Sequence, residues 1–140
     1  MSPGLMDRLL RWILVLAGLS MVIAVIPMVM PQSWMVTGHQ WLGLGDWPSQ
    51  PIVPYLARTT SGLYAILGAL LLLAATDLRR YAPMAVVVIV GIVAVSLADF
   101  VFGRFEGMPL WWSADDLTTA AALTVVAVPM LLMRRREPLN

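Results

Sequence analysis

The sequence has no cysteine, no lysine, a single histidine and only 12% charged residues. Without cysteine there is no disulfide, no thiolate nucleophile and no thiolate metal site, and cysteine usage says nothing about redox compartment. His39 is too little to build a transition-metal or haem centre within one chain. Its plainer role is to anchor its own segment by hydrogen bonding. All positive charge is carried by nine arginines, scattered between apolar runs, which gives nucleic-acid binding no basis. Gly43-Leu44-Gly45 lacks the strand-to-helix setting of a phosphate loop. No internal repeat is present, no motif implies a cofactor or metal, and no residue is assigned a catalytic role.

What the chain does have is apolar length. Hydrophobic residues make up 60% of it and the mean hydropathy is +0.83. Residues 12–30, 59–76, 82–98 and 117–133 carry no charge at all. A helix rises about 1.5 Å per residue and a bilayer core is roughly 30 Å thick, so each run spans once its flanking turns are added. The reading is an all-α, polytopic membrane four-helix bundle, a single transmembrane domain over residues 1–140. Its helices are expected near 9–30, 55–76, 82–103 and 114–133, with a cap over 31–54. The first run is longer than the core of a secretory signal and leads to no small-x-small cleavage site, so it is kept as helix one.

Arginine placement sets an expected orientation. Arg8, Arg11, Arg79, Arg80, Arg134, Arg135 and Arg136 flank one side of the runs, against Arg58 and Arg104 on the other. By the positive-inside rule both termini and the turn at residues 77–81 are cytoplasmic. Asp46, Asp99, Glu106, Asp115 and Asp116 then lie on the outer side.

The outer connection over 31–54 is long and rich in glycine and proline, and connections of that length commonly have structure or function of their own. Trp34, Gly38 and Trp41 recur at helical spacing, which predicts a short interfacial helix over 32–42. Trp34, Trp41, Trp47, Trp111 and Trp112 all fall in outer connections. They form either an aromatic belt at the membrane boundary or a cap roofing a pocket above the bundle. Packed around the same level, Arg58, Asp99, Asp115, Asp116, Tyr64 and His39 are the candidate outer polar cluster.

Each member has a structural and a functional reading. Arg58, Ser61 or Gly62, Ala65 and Ala69 share one helix face, a small-residue stripe that favours close packing and turns Arg58 away from lipid. Counted from Arg79, Arg58 lies 21 residues before and Asp99 20 residues after, so antiparallel helices would bring the two charges to one height as an ion pair. Asp99 could otherwise serve a proton relay or bind substrate. Ser113 with Asp116 fits a capping box at the start of helix four, and acids there complement the helix dipole; a cation site is the alternative reading of Asp115 and Asp116. Met28, Met30, Met35 and Met108 gather on the outer side, as packing residues or as soft-metal ligands.

The segments His39-Gln40-Trp41-Leu42-Gly43-Leu44-Gly45 through Pro51, Tyr55-Leu56-Ala57-Arg58, Tyr64-Ala65-Ile66-Leu67-Gly68 and Gly107-Met108-Pro109-Leu110-Trp111-Trp112 resemble a group of small uncharacterised bacterial membrane proteins. The helix-two pattern of an arginine, Ser-Gly, a tyrosine, a later glycine and a closing Asp77-Leu78-Arg79-Arg80 is similar to DoxX-like four-helix proteins. The resemblance implies a four-helix bundle in a bacterial cytoplasmic membrane. It transfers no catalytic residue, and the lack of cysteine departs from a thiol-based DoxX-like redox role. Three functions are compatible with these residues: an accessory or assembly protein that packs against a membrane-protein partner or its own copies, a binder or carrier of a lipid or quinone, and a membrane enzyme. The lipid bilayer is a partner under all three.

Overall fold

The computed structural model describes the backbone of residues 3–134 and the side chains of residues 4–131. Ser2, Arg135, Arg136 and Asn140, and the side chain of Arg134, lie outside that range, and with them part of the arginine pattern that sets the orientation. Among the described residues the fold is all-α, with six helices: α1 (Pro3–Val22), α2 (Val25–Val29), α3 (Gln32–Trp41), α4 (Ile52–Thr76), α5 (Leu78–Phe105) and α6 (Leu110–Arg134). Four stretches are long and apolar enough to cross a membrane: Gly4–Val29, Ile52–Thr76, Leu78–Phe105 and Leu110–Leu131. The protein is a multi-pass membrane protein, and the short helix expected between spans one and two is present as α3.

Boundaries differ from the sequence reading for identifiable reasons. The first span is interrupted between α1 and α2, because Pro27 has no N–H to offer the Ile23 carbonyl. That carbonyl accepts from Ile26 N at 2.9 Å, and Ala24 N reaches back to Met21 O at 3.1 Å, so the backbone tightens by a residue there. α5 starts a turn before the expected position because Asp77 caps it, accepting from Arg79 N at 3.2 Å and Arg80 N at 3.1 Å. Pro83 consequently sits inside α5 and not in its first turn. α6 also starts early: Trp112 N and Ser113 N both bond to Pro109 O, which makes Leu110 its first residue and removes Ser113 from the cap.

The chain divides into two compact units. The first, Val15–Leu72, holds the end of α1, then α2, α3 and most of α4. Its seam is antiparallel and can be followed residue by residue. A Cβ built on Gly18 would lie 2.8 Å from Leu72 Cγ and 2.9 Å from Gly68 O; one on Gly68 would lie 2.6 Å from Gly18 O and 2.8 Å from Val22 N. Farther along, the place of a Gly62 side chain is taken by Met28, whose Sδ is 3.3 Å from the same construction. The two helix backbones touch at Gly18 and Gly68, the close approach that small residues permit.

The second unit comprises the described residues up to Leu14 and from Leu73 onward. α5 and α6 pair in it across a turn closed at Gly107 (φ 77°), where Met108 N bonds to Gly103 O at 2.9 Å and Arg104 Nη1 donates to Met108 O at 3.0 Å. Only glycine adopts that left-handed conformation without strain, and the bond five residues back is the mark of a Schellman ending. Buried positions recur every three or four residues on each helix: Ala82, Ala85, Val86, Ile89, Ile92 and Ser96 on α5, and Ser113, Ala120, Leu123, Val126, Ala127 and Met130 on α6. Leu10 and Leu14 of α1 are the other large buried residues of this unit.

Candidate functional site

The six candidate polar residues separate by unit: Arg58, His39 and Tyr64 belong to one, Asp99, Asp115 and Asp116 to the other. Arg58 stands in the second turn of α4, half-buried, and its guanidinium is engaged by backbone. Nη1 donates to Met28 O at 2.7 Å and Nη2 to Met30 O at 2.8 Å. These two hydrogen bonds of Arg58 both go to main-chain carbonyls within its own unit. The physical reason lies in α2, whose last carbonyls have no intrahelical donor. Pro27 and Pro31 bracket this helix end, and the chain turns at Met30 (ψ 152°), so a side chain from elsewhere must satisfy them. The two prolines were the signal for this role, and the sequence reading passed over it.

His39 is half-buried at the end of α3, with Nδ1 3.1 Å from Gly45 O. Its ring meets Trp47 edge-on, centroids 5.3 Å apart at 82°. The helix beneath ends in a full Schellman motif, Gly43 N to Gln40 O at 2.9 Å and Leu44 N to His39 O at 3.2 Å, with Gly43 at φ 69°. His39 therefore serves to fold the 42–47 segment back on α3. Tyr64, on α4, is at the margin of exposure.

On the α5–α6 seam the register is fixed by Gly103, whose missing side chain would stand 3.3 Å from Ser113 Oγ. One turn farther along the two helices lie Asp99 on α5 and Asp116 on α6, with Asp115 next to Asp116 in sequence. Asp99 and Asp115 are exposed and Asp116 is half-buried. Ser113, only 1% exposed, has an Oγ without a hydrogen-bond partner. Among the described residues no group of three or more His, Cys, Asp or Glu is placed to hold a metal ion.

Four of the five tryptophans assigned to the cap are exposed, from Trp112 at 39% to Trp41 at 86%, and Trp111 meets Trp112 edge-on at 5.5 Å. Trp47 alone is half-buried, with its Nε1 enclosed and without a partner. Met28 packs on Gly62 and Met35 is buried, which accounts for two of the four gathered methionines as packing residues. Sequence reasoning also missed Asp7. It shares the face of Leu10 and Leu14 at helical spacing, and its Oδ1 is buried without a partner; that spacing was the available signal. Comparison with known proteins finds no match to any family model, any curated protein or any solved structure.

Proposed function

We propose that this chain is an accessory or assembly protein of a bacterial cytoplasmic membrane, with both termini inside, that holds a membrane-protein partner or further copies of itself by helix packing. The observation that carries this reading is the engagement of Arg58, the one charged residue of α4, whose two hydrogen bonds both close a helix end. The hydroxyls repeat the theme. Ser20, Thr37, Thr76, Thr118 and Thr124 each donate to a carbonyl three or four residues back in their own helix. Polar groups spent internally support a scaffold more than a reacting centre, which requires several convergent groups facing one atom. Kinship with the DoxX-like four-helix proteins that the sequence resembles belongs to the same proposal.

A second reading, a binder or carrier of a lipid or quinone, is favoured by the buried and unpartnered Ser113 hydroxyl on the α5–α6 seam, one turn from Asp116. Extraction into copolymer-bounded native nanodiscs, followed by native mass spectrometry, separates the two. A stoichiometric membrane-protein companion, or integer multiples of the chain mass, is expected. A single chain carrying a stoichiometric small amphiphile would replace the accessory reading with the carrier, and a chain with neither companion would overturn both.

A further inference from the structure

We propose that residues 25–41, α2 with α3, form a strap that is hinged at Ile23–Ala24 and latched to α4 by Arg58. The inference stands apart from the accessory reading, since it concerns one unit of the chain whatever that unit serves.

Hinge, body and latch are separate observations. At the hinge the regular bonding of the first span lapses: the Ile23 carbonyl cannot receive a donor from Pro27, and the bonds of Ala24 N and Ile26 N both reach back three residues instead of four. The body is thinly packed. α2 has no buried residue and α3 has one, Met35. A five-residue helix is far too short to hold itself together, so its persistence depends on what it is fastened to.

The fastening is Arg58. Its Nη1 and Nη2 bridge Met28 O and Met30 O, 30 and 28 residues away along the chain, beside the contact of Met28 Sδ with the open face of Gly62. A charged donor roughly doubles the strength of such bonds, and in an apolar setting the alternative for those carbonyls is no partner at all. Two carbonyls on one guanidinium also fix the angle at which α2 leaves and α3 begins, which a single bond could not do. At the far end of the strap, Gly43 and Gly45 have φ of 69° and 84° in the segment that returns to α4, and glycine is the residue that swivels there with least strain. Release of the latch frees the strap at its middle, with compliant backbone on both sides, and uncovers the stretch of α4 from Arg58 to Gly62.

Hydrogen–deuterium exchange of the full chain in lipid nanodiscs tests this. In Arg58→Gln, amides of residues 25–41 are expected to exchange about ten- to a hundredfold faster, the factor that corresponds to losing a charge-assisted hydrogen bond. Residues 64–72 of α4 and the α5–α6 pair should change by less than about twofold. Arg58→Lys keeps the charge but not the fork and should give an intermediate acceleration confined to the same residues. Pro27→Ala restores a donor toward the Ile23 carbonyl and should slow exchange at residues 23–27. Unchanged exchange over 25–41 in Arg58→Lys or Arg58→Gln overturns the latch, and so does uniform acceleration along the chain, which would make Arg58 a general stabiliser. If Arg58→Gln does not fold, Arg58→Lys and Pro27→Ala decide the question by the same criteria.

Discussion

At the scale of single residues, glycine divides into positions where a methyl group has nowhere to go and positions where it is free. Gly68→Ala places Cβ 2.6 Å from the Gly18 carbonyl oxygen, a backbone atom that can yield only if the helices separate. A loss of about 1–3 kcal/mol is expected. Gly91→Ala, with nothing within 4 Å of the new carbon, should instead stabilise α5 by about 0.5–1 kcal/mol. Unfolding of the full chain in mixed micelles, followed by circular dichroism, measures both, and equal effects would contradict the packing described. Ser113→Ala removes a buried hydroxyl that has no partner, so it should be neutral or stabilising by up to about 1 kcal/mol, whereas most buried truncations cost stability.

At the scale of elements, caps decide where helices begin and end. Asp77→Ala deprives Arg79 N and Arg80 N of their acceptor and should cost about 0.5–2 kcal/mol; Asp77→Asn, which can still accept, should recover most of it in the same unfolding measurement. The helix start that Asp77 sets was not legible beforehand, whereas the spans themselves were. The four spans follow from uncharged length, a signal summed over many residues, and the α3 helix from the spacing of Trp34 and Trp41. Ends are set by one or two hydrogen bonds, and those were harder to read. The Ser113–Asp116 pair satisfies a capping pattern, yet Pro109 takes the position first because its carbonyl bonds two amides of the following turn. The candidate site was read as one cluster because its members share a height along the spans. The hydrogen bonds of Arg58 to Met28 O and Met30 O depend on orphan carbonyls, which no count of side-chain charges reveals.

At the scale of the whole molecule, the distribution of arginines yields a prediction about sidedness. With Ser2→Cys, Ser49→Cys and Asn140→Cys introduced singly into a chain that has no native thiol, an impermeant maleimide applied to intact cells should label only the variant at residue 49. Labelling at either of the other two positions would reverse the proposed orientation.

The second compact unit joins the stretch up to Leu14 to the stretch from Leu73 onward, and this bears on the order of events during synthesis. A ribosome adds roughly 5–20 residues per second. The face of α1 that carries Leu10 and Leu14 is made several seconds before α5 and α6, the helices of its own unit. Contacts between α5 and α6 are local and close quickly across their four-residue turn, whereas the return of α1 has a large loop to close. For several seconds, then, Leu10, Leu14 and the enclosed oxygen of Asp7 stand in a nascent membrane segment without their final neighbours. That interval is when a membrane insertase or chaperone has an unfinished surface to hold, and a ribosome stalled before residue 110 would prolong it indefinitely.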